Sequence, residues 1–233
     1  MERIDKIIAS QGLYSRSDVK YLVNRKRVAV DGKVITSSSQ KADPEKSVIT
    51  IDGKPLTVKK QIYLMLHKPK GYVSATEDKK QETVLALVPQ EFRGRDLFPA
   101  GRLDKDTTGL MILTDDGVLA HNILSPRKHV QKVYGVELDI PVTEEMQQGF
   151  AAGVELNDGV CKAAKLVITG EKTAEVTLSE GRYHQIKRMF GCYGAKVVEL
   201  HRLAMGNLYL PADLLEGDCR ELTEEELKLL QQL

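Results

Sequence analysis

A chain of 233 residues, 42% apolar and 29% charged, is long enough for one or two globular domains and has an ordinary globular composition. No segment approaches a membrane span, and the charged start Met1-Glu2-Arg3-Ile4-Asp5-Lys6 breaks any signal-like apolar core, so a cytoplasmic protein is expected. The net charge of +1 hides an uneven layout: residues 1–60 hold 13 Lys+Arg against 7 Asp+Glu, residues 61–212 hold 19 of each, and residues 213–233 hold 2 against 7.

A basic head, a balanced body and an acidic tail suit a phosphate-bearing partner better than the averaged charge suggests. Cys161, Cys192 and Cys219 are too widely separated for a metal-binding pair, and the five histidines form no close ligand cluster, so no metal is expected.

Residues 1–60 read as a small α/β module. Ile4, Ile7 and Ile8 have helical spacing, as do Val19, Leu22 and Val23, with Ser15 as N-cap of the second helix and Asp18 three residues on. Val28-Ala29-Val30-Asp31-Gly32-Lys33-Val34-Ile35 carries a hairpin signal, and Val48-Ile49-Thr50-Ile51-Asp52-Gly53-Lys54-Pro55-Leu56 repeats it. The second helix and its exit bring Arg16, Lys20, Arg25, Lys26 and Arg27 together. For an arbitrary domain this would be a solvated helix face; the alternative is an RNA-binding surface.

Beyond a polar linker at Lys59-Lys60-Gln61, residues 61–233 read as one larger domain. Strands are expected at Ile62–Leu66, Leu110–Thr114, Val133–Leu138 and Ala174–Leu178. Ile186, Met189, Phe190 and Tyr193 mark a helix stopped by Gly194, and Thr223 with Glu226 forms a capping box for a last helix. The expected class is α+β: a small N-terminal module followed by a larger domain with a mixed, mostly antiparallel sheet flanked by helices.

Three segments concentrate chemistry. Gly101-Arg102-Leu103-Asp104-Lys105-Asp106-Thr107-Thr108-Gly109-Leu110 sets Asp104 in a polar turn before an apolar run. The others are Ser125-Pro126-Arg127-Lys128-His129-Val130-Gln131-Lys132-Val133-Tyr134 and Glu180-Gly181-Arg182-Tyr183-His184-Gln185-Ile186-Lys187-Arg188-Met189-Phe190. A lone loop aspartate is ordinarily an Asx turn or a cap. Asp104 and Asp106 as an acid/base pair of a hydrolase is disfavoured, because an i, i+2 spacing points them to opposite sides of an extended segment.

The helix–helix–strand layout of residues 1 to about 57, with Arg16-Ser17, Asn24-Arg25-Lys26-Arg27-Val28 and Val30-Asp31-Gly32, resembles the S4 RNA-binding domain. The three segments, with Lys68-Pro69-Lys70-Gly71 and Leu200-His201-Arg202-Leu203, resemble the motifs of the pseudouridine synthases, most closely the RsuA group that modifies ribosomal RNA. His67 stands where an asparagine is common in related chains. Gly-Arg-Leu-Asp and Gly-Arg-Tyr-His-Gln-Ile-Lys-Arg-Met, in this order in one chain, make the combination specific.

The resemblance implies isomerisation of a uridine to pseudouridine with no redox cofactor. Asp104 matches the family's catalytic aspartate, Tyr134 its active-site tyrosine, and Lys187 the basic position that pairs with the aspartate, with Arg188 as the rival for that role. Arg102 and Arg202 are candidates for the flipped nucleotide or its phosphates, or else structural ion-pair partners. His184 and His201 are read as structural. The implied partner is rRNA, with 16S favoured over 23S, and the protein is expected to act as a monomer. A non-catalytic RNA-binding or ribosome-assembly factor is the alternative of a different class.

Overall fold

The computed structural model describes residues 1–125 and 128–232. Pro126 and Arg127 of the second chemical segment therefore lie outside the described residues. The chain divides into two units, one of Met1–Ile62 with Val88–Leu97, the other of Tyr63–Leu87 with Phe98–Leu233.

In the first unit, helices Ile4–Ala9 and Arg16–Asn24 pack Ile4, Ile7, Ile8, Val19, Leu22 and Val23 into one core with Val28, Val30, Ile49 and Ile51. The second helix opens with the expected reciprocal cap: the Asp18 amide donates to Ser15 Oγ and the Ser15 amide donates to the Asp18 carboxylate. It closes where Lys26 takes a left-handed backbone, φ 57°. Both hairpins form, with Asp31-Gly32 and Asp52-Gly53 at positive φ in each tight turn. They join through the antiparallel pairing of Val28–Val30 with Ile49–Ile51 into a four-stranded sheet.

Residues Val88–Leu97 fall in the first unit although the sequence places them within the larger domain. Arg95 accounts for this: its guanidinium donates to the carbonyls of Ser10, Lys59 and Lys60. Gly94 lies so close to the Gly12 backbone that a Cβ there would collide with it.

The second unit is built on a nine-stranded sheet. Its main path runs Lys165–Ile168, Thr173–Leu178, Lys132–Leu138, Val197–Met205, Thr108–Thr114, Tyr63–Lys68 and Cys219–Glu221. Every pairing is antiparallel except that of Val197–Met205 with Thr108–Thr114, so the sheet is mixed and mostly antiparallel. All seven residues of Thr108–Thr114 are buried, which is why its centre, Leu110-Met111-Ile112-Leu113, reads as an unbroken apolar run while Thr173–Leu178 alternates.

Helices Glu144–Ala152 and Gln185–Gly191 cover one end of the sheet, with the Phe150 and Phe190 rings 4.7 Å apart. Helices Gly117–Leu124 and Glu224–Gln231 cover the other, and the last carries the expected Thr223–Glu226 capping box. Asp115-Asp116-Gly117 reads in sequence as a strand stop. Asp116 is also the N-cap of Gly117–Leu124, accepting from the Val118 and Leu119 amides and from the Tyr63 hydroxyl.

Candidate active site

The one parallel pairing of the sheet places the ends of two chemical segments side by side. His201 and Arg202 lie opposite Thr108 and Gly109, directly after the Asp104 turn. Gly109 has φ 105°, and a Cβ there would meet the backbone of Arg202, so only glycine allows the two strands this approach.

The Asp104 turn is held from beneath by Lys68. This lysine is 0% exposed, and its ammonium donates to the carbonyls of Pro69, Lys105 and Thr107 at 3.0, 3.3 and 2.8 Å. Burial pushes its pKa down to about 8, while the charges of Asp106 and Asp104 act in the opposite sense. The Gly71 amide donates to the Lys105 carbonyl, and Ser74 exchanges hydrogen bonds with the Leu103 backbone. The Lys-Pro-x-Gly turn is therefore a cradle for the aspartate segment.

Asp104 faces a cavity of about 840 Å³. Its side chain is 28% exposed, with Lys187 Nζ 3.2 Å from one carboxylate oxygen and His184 Nε2 3.4 Å from the other. Lys187 also donates to Asp106 at 2.6 Å. Burial works against the Lys187 charge, but Asp106 and Asp104 outweigh it and raise its pKa; Lys187 in turn holds Asp106 below the usual carboxylate range. Tyr134 and Arg202 sit opposite each other on adjacent strands, and both line the cavity.

The structure thus brings Asp104, Tyr134, Lys187, Arg102 and Arg202 to one cavity. It pairs Asp104 with Lys187, while Arg188 is turned to Asp158 and the Tyr183 carbonyl. The expectation that Asp104 and Asp106 point apart is corrected. Lys105 and Asp106 form a turn and not an extended segment, so both carboxylates reach one ammonium.

Arg202 is 2% exposed and gives Nε to the Leu110 carbonyl at 2.7 Å, whereas Arg102 is exposed. His201 behaves as a satisfied structural histidine, bonded to Thr108 Oγ1. His184, also read as structural, instead touches Asp104. It occupies a left-handed backbone, φ 47°, and its ring stacks at 3.8 Å on Tyr183, which is 76% exposed at the cavity. Lys68 and Lys132 are further cations at this site, and periodicity offers no signal for either role.

In the first unit Arg16, Lys20, Arg25, Lys26 and Arg27 are all exposed. Arg25 lies over the Tyr21 ring, while Arg27 is committed to a two-pronged ion pair with Asp52.

A family model described as RNA pseudouridylate synthase matches residues 62–191, and one described as S4 domain matches residues 2–48. The chain belongs to the RNA pseudouridylate synthase family, a class of isomerases, and carries an N-terminal S4 domain. It is 44% identical to an uncharacterized RNA pseudouridine synthase, YtzG, of Bacillus subtilis, over 98% of each chain. It is also 44% identical to ribosomal small subunit pseudouridine synthase A of Escherichia coli, over 97% of this chain and 98% of that one. The crystal structure of a pseudouridylate synthase superimposes with a TM-score of 0.70 at 38% identity, covering 99% of this chain and 100% of the other.

Proposed function

We propose that this protein isomerises one uridine of 16S rRNA to pseudouridine, with Asp104 as the catalytic carboxylate. The observation that carries the reading is the Asp104–Lys187 pair, 3.2 Å apart on a cavity that also holds Tyr134. The small-subunit substrate rests on full-length likeness to relatives named ribosomal small subunit pseudouridine synthase A.

The reaction breaks the bond between uracil N1 and ribose C1′, turns the base and rejoins it through C5. Such a base must leave its stack, which RNA loops and bulges allow. A carboxylate positioned beside an ammonium is suited to act at the sugar or its protons. The ring of Tyr134 offers a face for the extruded uracil. Arg102, exposed at the cavity, and the S4 cations Arg16, Lys20, Arg25 and Lys26 serve the phosphates.

Replacing Asp104 by Asn is expected to abolish tritium release from 5-tritiated uridine in the RNA while leaving RNA binding intact. Full turnover in that variant would remove Asp104 from the catalytic role. Pseudouridine mapping of both rRNAs, with and without this protein, tests the substrate. Loss of a 23S signal with 16S unchanged would assign it to the large subunit, and no change in either would favour a non-catalytic factor.

A further inference from the structure

Of the lysines and arginines lining the cavity, Lys187 is paired with Asp104 and Asp106, and Arg182 with Glu180 and Asp158, while Arg102 and Lys105 are exposed to solvent. Lys132 and Arg202 are neither exposed nor, among the described residues, paired. They extend from adjacent antiparallel strands, Lys132–Leu138 and Val197–Met205, on either side of the irregularity at Val133/Tyr134. Both line the cavity, and among the described residues neither makes an ion pair.

Arg202 is 2% exposed, and its Nη2 is a buried donor with no hydrogen-bond partner among the described residues. An unpaired buried donor on a charged group is costly, and a second cation beside it adds to that cost. Such an arrangement suits a site that an anionic oxygen completes.

We propose that Lys132 and Arg202 form a cationic subsite that takes the carbonyl oxygens of the detached uracil and stabilises the negative charge it acquires. This rests on the uridine isomerisation proposed above. When the C1′–N1 bond breaks, its electron pair leaves with N1 and spreads to the uracil O2 and O4, while C1′ is left electron-poor on the Asp104 side. When C5 bonds to C1′, the C5 proton is lost and N1 regains one. Atoms and electrons balance with no oxidant or reductant.

Preorganised donors aimed at developing charge act chiefly on the chemical step. Burial and the Arg202 charge both pull the Lys132 pKa down, as expected of two neighbouring cations on one cavity.

The test is single-turnover tritium release at saturating enzyme, together with RNA affinity measured across salt concentrations. Lys132→Met is expected to slow the single-turnover step by about 10²-fold with affinity and salt slope unchanged. Lys132→Arg, which keeps the charge, is expected to recover most of the rate. If Lys132→Met instead weakens binding and lowers the salt slope by about one, with a normal rate at saturation, the pair holds a phosphate and the inference falls.

An unchanged rate and affinity in Lys132→Met also overturns it, as does a Lys132→Arg variant as slow as the methionine one. The wild-type protein run alongside separates the two readings, since failure of wild type to release tritium from rRNA would count against the proposed function itself. Lys132 is half-buried, so its variants are preferred to those of the fully buried Arg202, and a cooperative unfolding transition shows that they are folded.

Discussion

At the scale of single residues, the site depends on which cation meets which carboxylate. Lys187 is the ammonium on Asp104, and Arg188 is the guanidinium on Asp158. Lys187→Met is therefore expected to lower the single-turnover rate by at least about 10²-fold, by removing the charge that holds the carboxylate. Arg188→Met, which breaks a pair at the protein surface, is expected to change it by less than about fivefold.

Lys68 has a different signature. Its folded pKa of about 8 lies below the ordinary lysine value of 10.5. Below pH 8 both folded and unfolded states hold the proton, and the fold bears the full cost of a buried ammonium. Between about 8 and 10.5 the folded state has released the proton and the unfolded state has not, so stability rises with pH across that window. Urea midpoints measured at several pH values should show the rise in wild type and lack it in Lys68→Met. At pH 7 that variant should also be less stable by about 2 kcal/mol, because the Pro69 and Thr107 carbonyls lose their donor.

At the scale of elements, the contact between Thr108–Thr114 and Val197–Met205 is the joint that assembles the cavity. Its weakest tolerance is at Gly109, where a Cβ would strike the Arg202 backbone in a conformation L side chains rarely adopt. Gly109→Ala is expected to cost more than about 3 kcal/mol, read as a lowered unfolding midpoint or loss of soluble protein. Gly32→Ala, in open space at the tip of a hairpin, should cost only the positive-φ strain of about 1 kcal/mol. The contrast checks that backbone approach, more than glycine's flexibility, fixes the Gly109 position.

At the scale of the whole molecule, the division of labour is electrostatic. The S4 unit presents Arg16, Lys20, Arg25 and Lys26 as exposed cations with no acidic partner among the described ion pairs, whereas Arg27 is neutralised by Asp52. Replacing those four by alanine should weaken RNA binding and lower the salt slope by up to about 3.6, at roughly 0.7 to 0.9 per phosphate contact. The single-turnover rate at saturating enzyme should stay near wild type, because none of the four lines the cavity. Arg27→Ala should alter the slope least of the five.

The sequence by itself determined what depends on near neighbours. The Asp-Gly hairpin turns, the Ser15 and Thr223 caps, the buried Thr108–Thr114 strand and the helix after His184 are each set by residues a few positions apart. So is the presence of Asp104, Tyr134 and Lys187 in recognisable motifs. The tertiary structure alone decided how the motifs face one another. Residues 187 and 188 are consecutive on a helix and point in different directions, so only the seating of that helix on the sheet selects the partner of Asp104. The turn at Lys105-Asp106 brought Asp106 to the same ammonium, and the αL backbone at His184 put its imidazole on the carboxylate. Burial of Lys68 and Arg202, and the pairing of Arg27 and Arg188 with acids distant in the chain, follow from long-range packing, which local periodicity does not encode.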